Sequence, residues 1–66
     1  MNSQIGIVIE REVQVGPATF LIIVMRFGDI NSYLVLDTDG QTVENKPFMV
    51  YIDSMIEELD TRKNFR

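Results

Sequence analysis

The sequence predicts a two-layer α+β domain, in which an antiparallel β-meander of three to four strands carries one C-terminal amphipathic helix packed on one face. Residues 4 to 43 contain alternating or β-branched apolar runs that Gly and Pro interrupt, which is typical of strands joined by turns. Residues 48 to 59 instead repeat apolar residues at helical spacing. Because the chain has 66 residues, we expect a single domain, residues 1–66, in the order β-β-β-(β)-α.

The first predicted strand, residues 4 to 15, has one apolar and one polar side. Its apolar side carries Ile5, Ile7, Ile9, Val13 and Val15. Arg11 interrupts that side, and Val8 is the apolar exception on the other. This pattern indicates a half-buried strand with one solvated side. Because the strand is long, we expect a bend or a bulge near residues 10 to 12.

The second predicted strand follows Gly16-Pro17 and is apolar on both sides. Phe20, Ile22 and Val24 alternate along it with Leu21, Ile23, Met25 and Phe27. We expect a turn over residues 28 to 31 and a third strand from Tyr33 to Thr38, again apolar on both sides. Asp39-Gly40 predicts a two-residue hairpin turn, because both residues tolerate a positive φ. A short fourth strand over residues 41 to 43 follows.

The helix is predicted to begin near Pro47, since a missing N–H is not needed in the first helical turn. Its apolar stripe consists of Phe48, Met49, Ile52, Met55, Ile56 and Leu59. The opposite side is acidic, and a solvated surface is the simpler interpretation of it. The alternative is an electrostatic contact with another protein. The candidate residues for that contact are Asp53, Glu57 and Glu58.

The composition argues against catalysis and metal binding. The chain contains no His and no Cys, which removes the usual general base near neutral pH, the thiol nucleophile and the commonest zinc ligands. Asp37 and Asp39 share a strand end, but Asp near Gly is also an ordinary turn residue. Residues 37 to 44 place Gly too early for an EF-hand calcium loop. We therefore expect no enzyme, no catalytic residue, no metal and no cofactor.

The charge balance narrows the class of partner. With a net charge of −4 and six Lys and Arg residues, the chain is poorly suited to displace counterions from nucleic acid or anionic lipid, so we expect neither partner. The apolar run from Phe20 to Met25 is far shorter than the ~18 residues that a membrane-spanning helix needs. The N-terminal residues show no basic leader and no cleavage site, so we expect no secretory signal and take the cytoplasm as the default location.

The second and third strands raise the question of what covers the second face of the sheet. One helix covers one face only, and a large exposed apolar patch usually marks an interface. Three outcomes are open: the sheet curls over itself as a partial barrel, two copies associate, or a different protein docks. As the residues for assembly we select Phe20, Ile22, Val24, Tyr33 and Val35.

We therefore predict a small non-enzymatic protein-interaction module, a homodimeric inhibitor or regulator that acts by binding another protein. The alternative is a structural or assembly subunit of a larger complex, without an activity of its own. Small acidic domains with this order of strands and helix are common among phage- and plasmid-encoded accessory proteins. That association rests on size and composition, and no motif supports it.

Overall fold

A computed structural model of the protein describes the backbone of residues 6 to 64 and the side chains of residues 6 to 61. The elements are β1 (Ile7–Val15), β2 (Ala18–Phe27), β3 (Ile30–Leu36), β4 (Thr42–Val43), a 3₁₀ turn (Lys46–Phe48) and α1 (Met49–Asn64). The strands form one antiparallel sheet in the order β1-β2-β3-β4. This confirms the α+β meander with a C-terminal helix that the sequence predicts.

The β1–β2 hairpin is a one-to-one ladder along all nine residues of β1. The bulge predicted near residues 10 to 12 is therefore wrong. The physical reason is that β2 is also long, with ten residues, so the ladder accommodates the whole of β1 without an extra residue. Gly16 and Pro17 connect the two strands. Gly16 has a φ of 62°, as the first central residue of a type II′ turn requires, and this turn suits the twist of a hairpin.

The turn predicted over residues 28 to 31 is shorter in the structure. Gly28 takes a φ of 64°, and with Asp29 it reverses the chain in two residues. Because two residues suffice, Ile30 and Asn31 are free to pair with the end of β2, and β3 begins three residues earlier than Tyr33, the predicted start.

The connection between β3 and β4 differs from the predicted Asp39-Gly40 turn. The backbone N–H of Gly40 donates to the carbonyl oxygen of Asp37 at 3.0 Å, so Thr38 and Asp39 are the central residues. Gly40 follows with a φ of 84°, and the N–H of Asp37 donates to the carbonyl oxygen of Gln41 at 2.9 Å. A three-residue hairpin loop with a glycine in the left-handed region has this pattern.

The core lies between α1 and one face of the sheet. Its buried residues are Val13, Ile22, Val24 and Val35 from the strands, and Phe48, Ile52, Met55 and Leu59 from the helical segment. The helical stripe predicted from the spacing is thus confirmed. Pro47 occupies the 3₁₀ turn that precedes α1, close to its predicted position. The rings of Phe20 and Phe48 pack at a centroid distance of 4.9 Å and anchor the start of the helical segment on the sheet.

Two arginines of the sheet reach toward α1 and pair with its carboxylates. The Nη2 of Arg11 lies 3.1 Å from the Oε1 of Glu58, and the Nη1 of Arg26 lies 2.7 Å from the Oδ1 of Asp60. The Nε of Arg26 also donates to the Oδ1 of Asn31 at 2.8 Å. Arg11, which interrupts the apolar side of β1 in the sequence, therefore links the sheet to the helix.

Candidate interaction surface

The five residues that the sequence analysis selected for assembly lie on the helix side of the sheet. Ile22, Val24 and Val35 are 0% exposed, and Phe20 and Tyr33 are half-buried against the same core. In the lone chain these side chains pack beneath α1 and do not face away from it. We therefore transfer the predicted interface from these residues to the opposite side of the same strands.

A signal that separates the two sides was present in the sequence. A two-residue turn after β1 fixes the register of the hairpin, which sets Ile23 opposite Glu10 and Ile22 opposite Arg11. Opposed residues point to the same side of a sheet. Ile23 therefore shares a side with the acidic residues of β1, and charged side chains favour the side that faces solvent. Ile22 shares the other side with the apolar residues that form the core.

Within residues 6 to 64, no helix lies over the side chains on the far side of the sheet. We call this surface the open face, and strand alternation places these fourteen residues on it: Val8, Glu10, Glu12, Gln14, Thr19, Leu21, Ile23, Met25, Phe27, Ile30, Ser32, Leu34, Leu36 and Thr42. None of the fourteen is buried. Among the apolar ones, Val8, Phe27 and Ile30 are the most exposed, at 52%, 47% and 68%.

The register arranges the open face as an apolar stripe with an acidic border. Across the sheet the rows are Phe27–Ile30, Val8–Met25–Ser32, Glu10–Ile23–Leu34 and Glu12–Leu21–Leu36–Thr42. The two central strands, β2 and β3, thus contribute almost only apolar side chains. β1 contributes carboxylates along one edge, and the short β4 contributes a hydroxyl along the other.

Phe27 extends the apolar stripe beyond the first residue of β1. A Cβ atom on Gly6 would overlap the ring of Phe27, so the ring lies directly over the backbone at that glycine. The absence of a side chain on Gly6 is therefore what allows this position of the ring. The ring closes one end of the open face while about half of its surface stays accessible.

The sheet does not cover its open face by curling. Within residues 6 to 64, β1 and β4 are the outer strands of an open sheet and do not pair with each other. The open-face residues also stay half-buried or exposed, so the curl into a partial barrel, one of the three outcomes left open by the sequence, does not cover them. Closure fails because β4 has only two residues, too few to form a continuous ladder with the nine of β1.

The carboxylates predicted to form an electrostatic contact are exposed on α1. The side chains of all three predicted residues, Asp53, Glu57 and Glu58, are exposed to solvent on this helix. Glu58 is paired with Arg11, and both side chains are more than 40% exposed. Exposed pairs of this kind stabilise a fold by roughly 0 to 1 kcal/mol. One of the three carboxylates is thus engaged within the chain, and the electrostatic contact stays a prediction, resting mainly on Asp53 and Glu57.

The carboxylate of Asp37 is engaged in backbone hydrogen bonds that have a structural role. Its Oδ1 accepts the backbone N–H groups of Asp39 and Gln41 at 2.9 and 3.0 Å, which closes the loop before β4. Across the described part of the chain, no group of three or more acidic side chains is arranged to hold a metal ion. No helix within that part is long and apolar enough to cross a membrane.

The fold and the open face together define a two-layer α+β domain that is closed on its helix side and apolar on its other side. The chain matches no protein-family model, and neither a curated protein nor a solved structure is significantly similar to it.

Proposed function

We propose that the protein is a non-enzymatic interaction module and that it binds other protein surfaces through the open face. The observation that supports this proposal is the uncovered apolar stripe on β2 and β3, on a chain whose other side is closed by α1. Large exposed apolar patches on small domains usually mark protein interfaces. The acidic border formed by Glu10 and Glu12 disfavours nucleic acid and anionic lipid as the ligand.

The state of the lone chain favours a regulator over an obligate subunit. Eight apolar residues are buried between helix and sheet without help from a partner. Among the described residues, no buried side-chain nitrogen or oxygen lacks a hydrogen bond. A chain with a complete core can fold before it binds, which suits reversible association. We therefore propose an inhibitor or regulator that acts in the cytoplasm by occluding a partner surface, with an assembly subunit as the alternative.

The substitution Ile23→Glu tests the proposal, with Val50→Glu as a matched control. Both changes replace a β-branched residue with Glu, but Ile23 lies on the open face and Val50 lies on α1, where it is 78% exposed. The tagged chain is expressed in its native host, and the extract is separated by size. We expect wild type and Val50→Glu to elute together at high mass. Ile23→Glu should shift toward the mass of the free tagged chain.

Far-UV circular dichroism of the purified variants establishes that each one is folded. If all three folded proteins elute at the same position, the open face is not the binding surface and the proposal fails. The same separation distinguishes the two roles. A complex of fixed stoichiometry that survives dilution indicates a subunit, whereas a complex that dissociates on dilution indicates a regulator.

A further inference from the structure

We propose that the open face binds a second copy of this chain, packed sheet on sheet about a two-fold axis that runs parallel to the strands, between β2 and β3. This inference rests on the proposed function, because it names the partner of the same surface. Three features of the open face support it: the matched composition of its central strands, the position of its carboxylates and its area.

The two central strands are matched in composition at most levels of the sheet. Ile23 lies beside Leu34, Leu21 beside Leu36, and Phe27 beside Ile30. A two-fold axis along the strands places each β2 residue of one copy over the β3 residue that belongs to the same row of the sheet in the other copy. These three levels then bring apolar side chains against apolar side chains, and only the level of Met25 and Ser32 is mixed.

The carboxylates of β1 select this axis over the perpendicular one. An axis across the strands would lay β1 on the β1 of the other copy, so Glu10 and Glu12 would meet the same residues across the ~10 Å that separates stacked sheets. That arrangement places like charges together in a partly desolvated interface. The axis along the strands instead carries each β1 over the short β4 of the other copy. The two acidic borders then lie on opposite, wet rims.

The area of the open face fits a weak and reversible dimer. Three strands of about seven residues and the two residues of β4, spaced ~4.8 Å apart with a rise of ~3.3 Å per residue, give a face of roughly 360 Å² in plan. Two such faces cover about 700 Å², below the ~1,000 Å² of stable specific interfaces and in the range of weak, transient contacts. We therefore expect a weak dimer that dissociates on dilution between about millimolar and about micromolar protein.

Cross-linking through introduced cysteines tests the axis, because the natural chain contains no Cys. Glu12 and Thr42 are exposed and stand at the two borders of one row of the sheet. In the proposed dimer, Glu12 of one copy lies over Thr42 of the other at about the 10 Å sheet spacing. Two copies of the same residue are instead about 17 Å apart, from roughly 14 Å across the strands and 10 Å between the sheets.

The experiment mixes purified Glu12→Cys and Thr42→Cys proteins with a bis-maleimide linker that reaches about 10 Å, the spacing of stacked sheets. We expect the mixture to give several-fold more cross-linked dimer than either protein alone, and Val50→Cys to give none above background. Strong cross-linking of Glu12→Cys with itself overturns the axis. If no combination cross-links up to about millimolar protein, the second copy is excluded. If Ile23→Glu still disrupts the complex in the host extract, the open face binds a different protein and the proposed function survives.

Discussion

Ile22 and Ile23 are neighbours in β2 that point to opposite faces, so the same change at each residue compares the two faces directly. Ile22 is 0% exposed beneath α1, and Ile23 is half-buried on the open face. Ile→Val deletes one methyl group, which in a closed core costs about 0.5 to 1.5 kcal/mol, from lost transfer energy and from the cavity left behind. In a lone chain the side chain of Ile23 is only half-buried, so deleting a methyl group there removes less buried surface. We therefore expect Ile23→Val to cost less than about half as much.

Thermal unfolding of dilute protein, followed by far-UV circular dichroism, measures the difference. A loss of about 1 kcal/mol lowers the Tm of a domain of this size by roughly 4 to 8 °C. We expect a fall in that range for Ile22→Val and a fall below about 3 °C for Ile23→Val. The Ile23→Val deficit should then grow with protein concentration, because association covers that side chain. Equal deficits in dilute solution would refute the assignment of the two faces.

Three further predictions concern residues that shape the domain. Arg26→Met removes the 2.7 Å contact with Asp60, and urea unfolding should show a loss of about 1 kcal/mol that shrinks at high salt. Asp37→Ala removes the acceptor of two backbone N–H groups, and urea unfolding should show a loss of about 1 kcal/mol. Phe27→Leu removes the ring from the backbone of Gly6, and the proton NMR signals of the Gly6 α-hydrogens should move downfield as the ring current is lost.

Asp37→Asn retains an acceptor oxygen and should cost less than Asp37→Ala. Equal costs would mean that the loop does not depend on that oxygen. Arg26→Met with a salt-independent loss would assign its effect to packing and not to the ion pair. Unchanged α-hydrogen shifts in Phe27→Leu would show that the ring does not lie over Gly6.

The order of elements was predictable because the local signals agree with one another. Gly16-Pro17 marks the first turn, and the spacing from Phe48 to Leu59 marks the helix. Two of the errors lie at the ends of β3, and at its C-terminal end a single side chain decides the outcome. The carboxylate of Asp37 accepts two backbone N–H groups and moves the last turn ahead of Asp39-Gly40, and no periodic pattern in the sequence records that interaction.

The location of the open face was harder to predict than its existence. β2 is apolar on both sides, so its own alternation identifies two sets of residues without ranking them. The ranking depends on a non-local fact, the pairing of Ile23 with Glu10 and of Ile22 with Arg11. Arg11 made it harder to decide which side of β1 faces the core. A charged residue indicates a side exposed to solvent until its contact with Glu58 is known.

Sedimentation equilibrium of the purified wild-type chain, from about micromolar to about millimolar protein, tests the central claim most directly. If the open face is covered by a second copy, the average mass should rise across this range from 7.6 kDa toward twice that value, and Ile23→Glu should remain at the lower mass throughout. A wild-type chain that stays at 7.6 kDa over the whole range, with its apolar stripe in water, would contradict the claim.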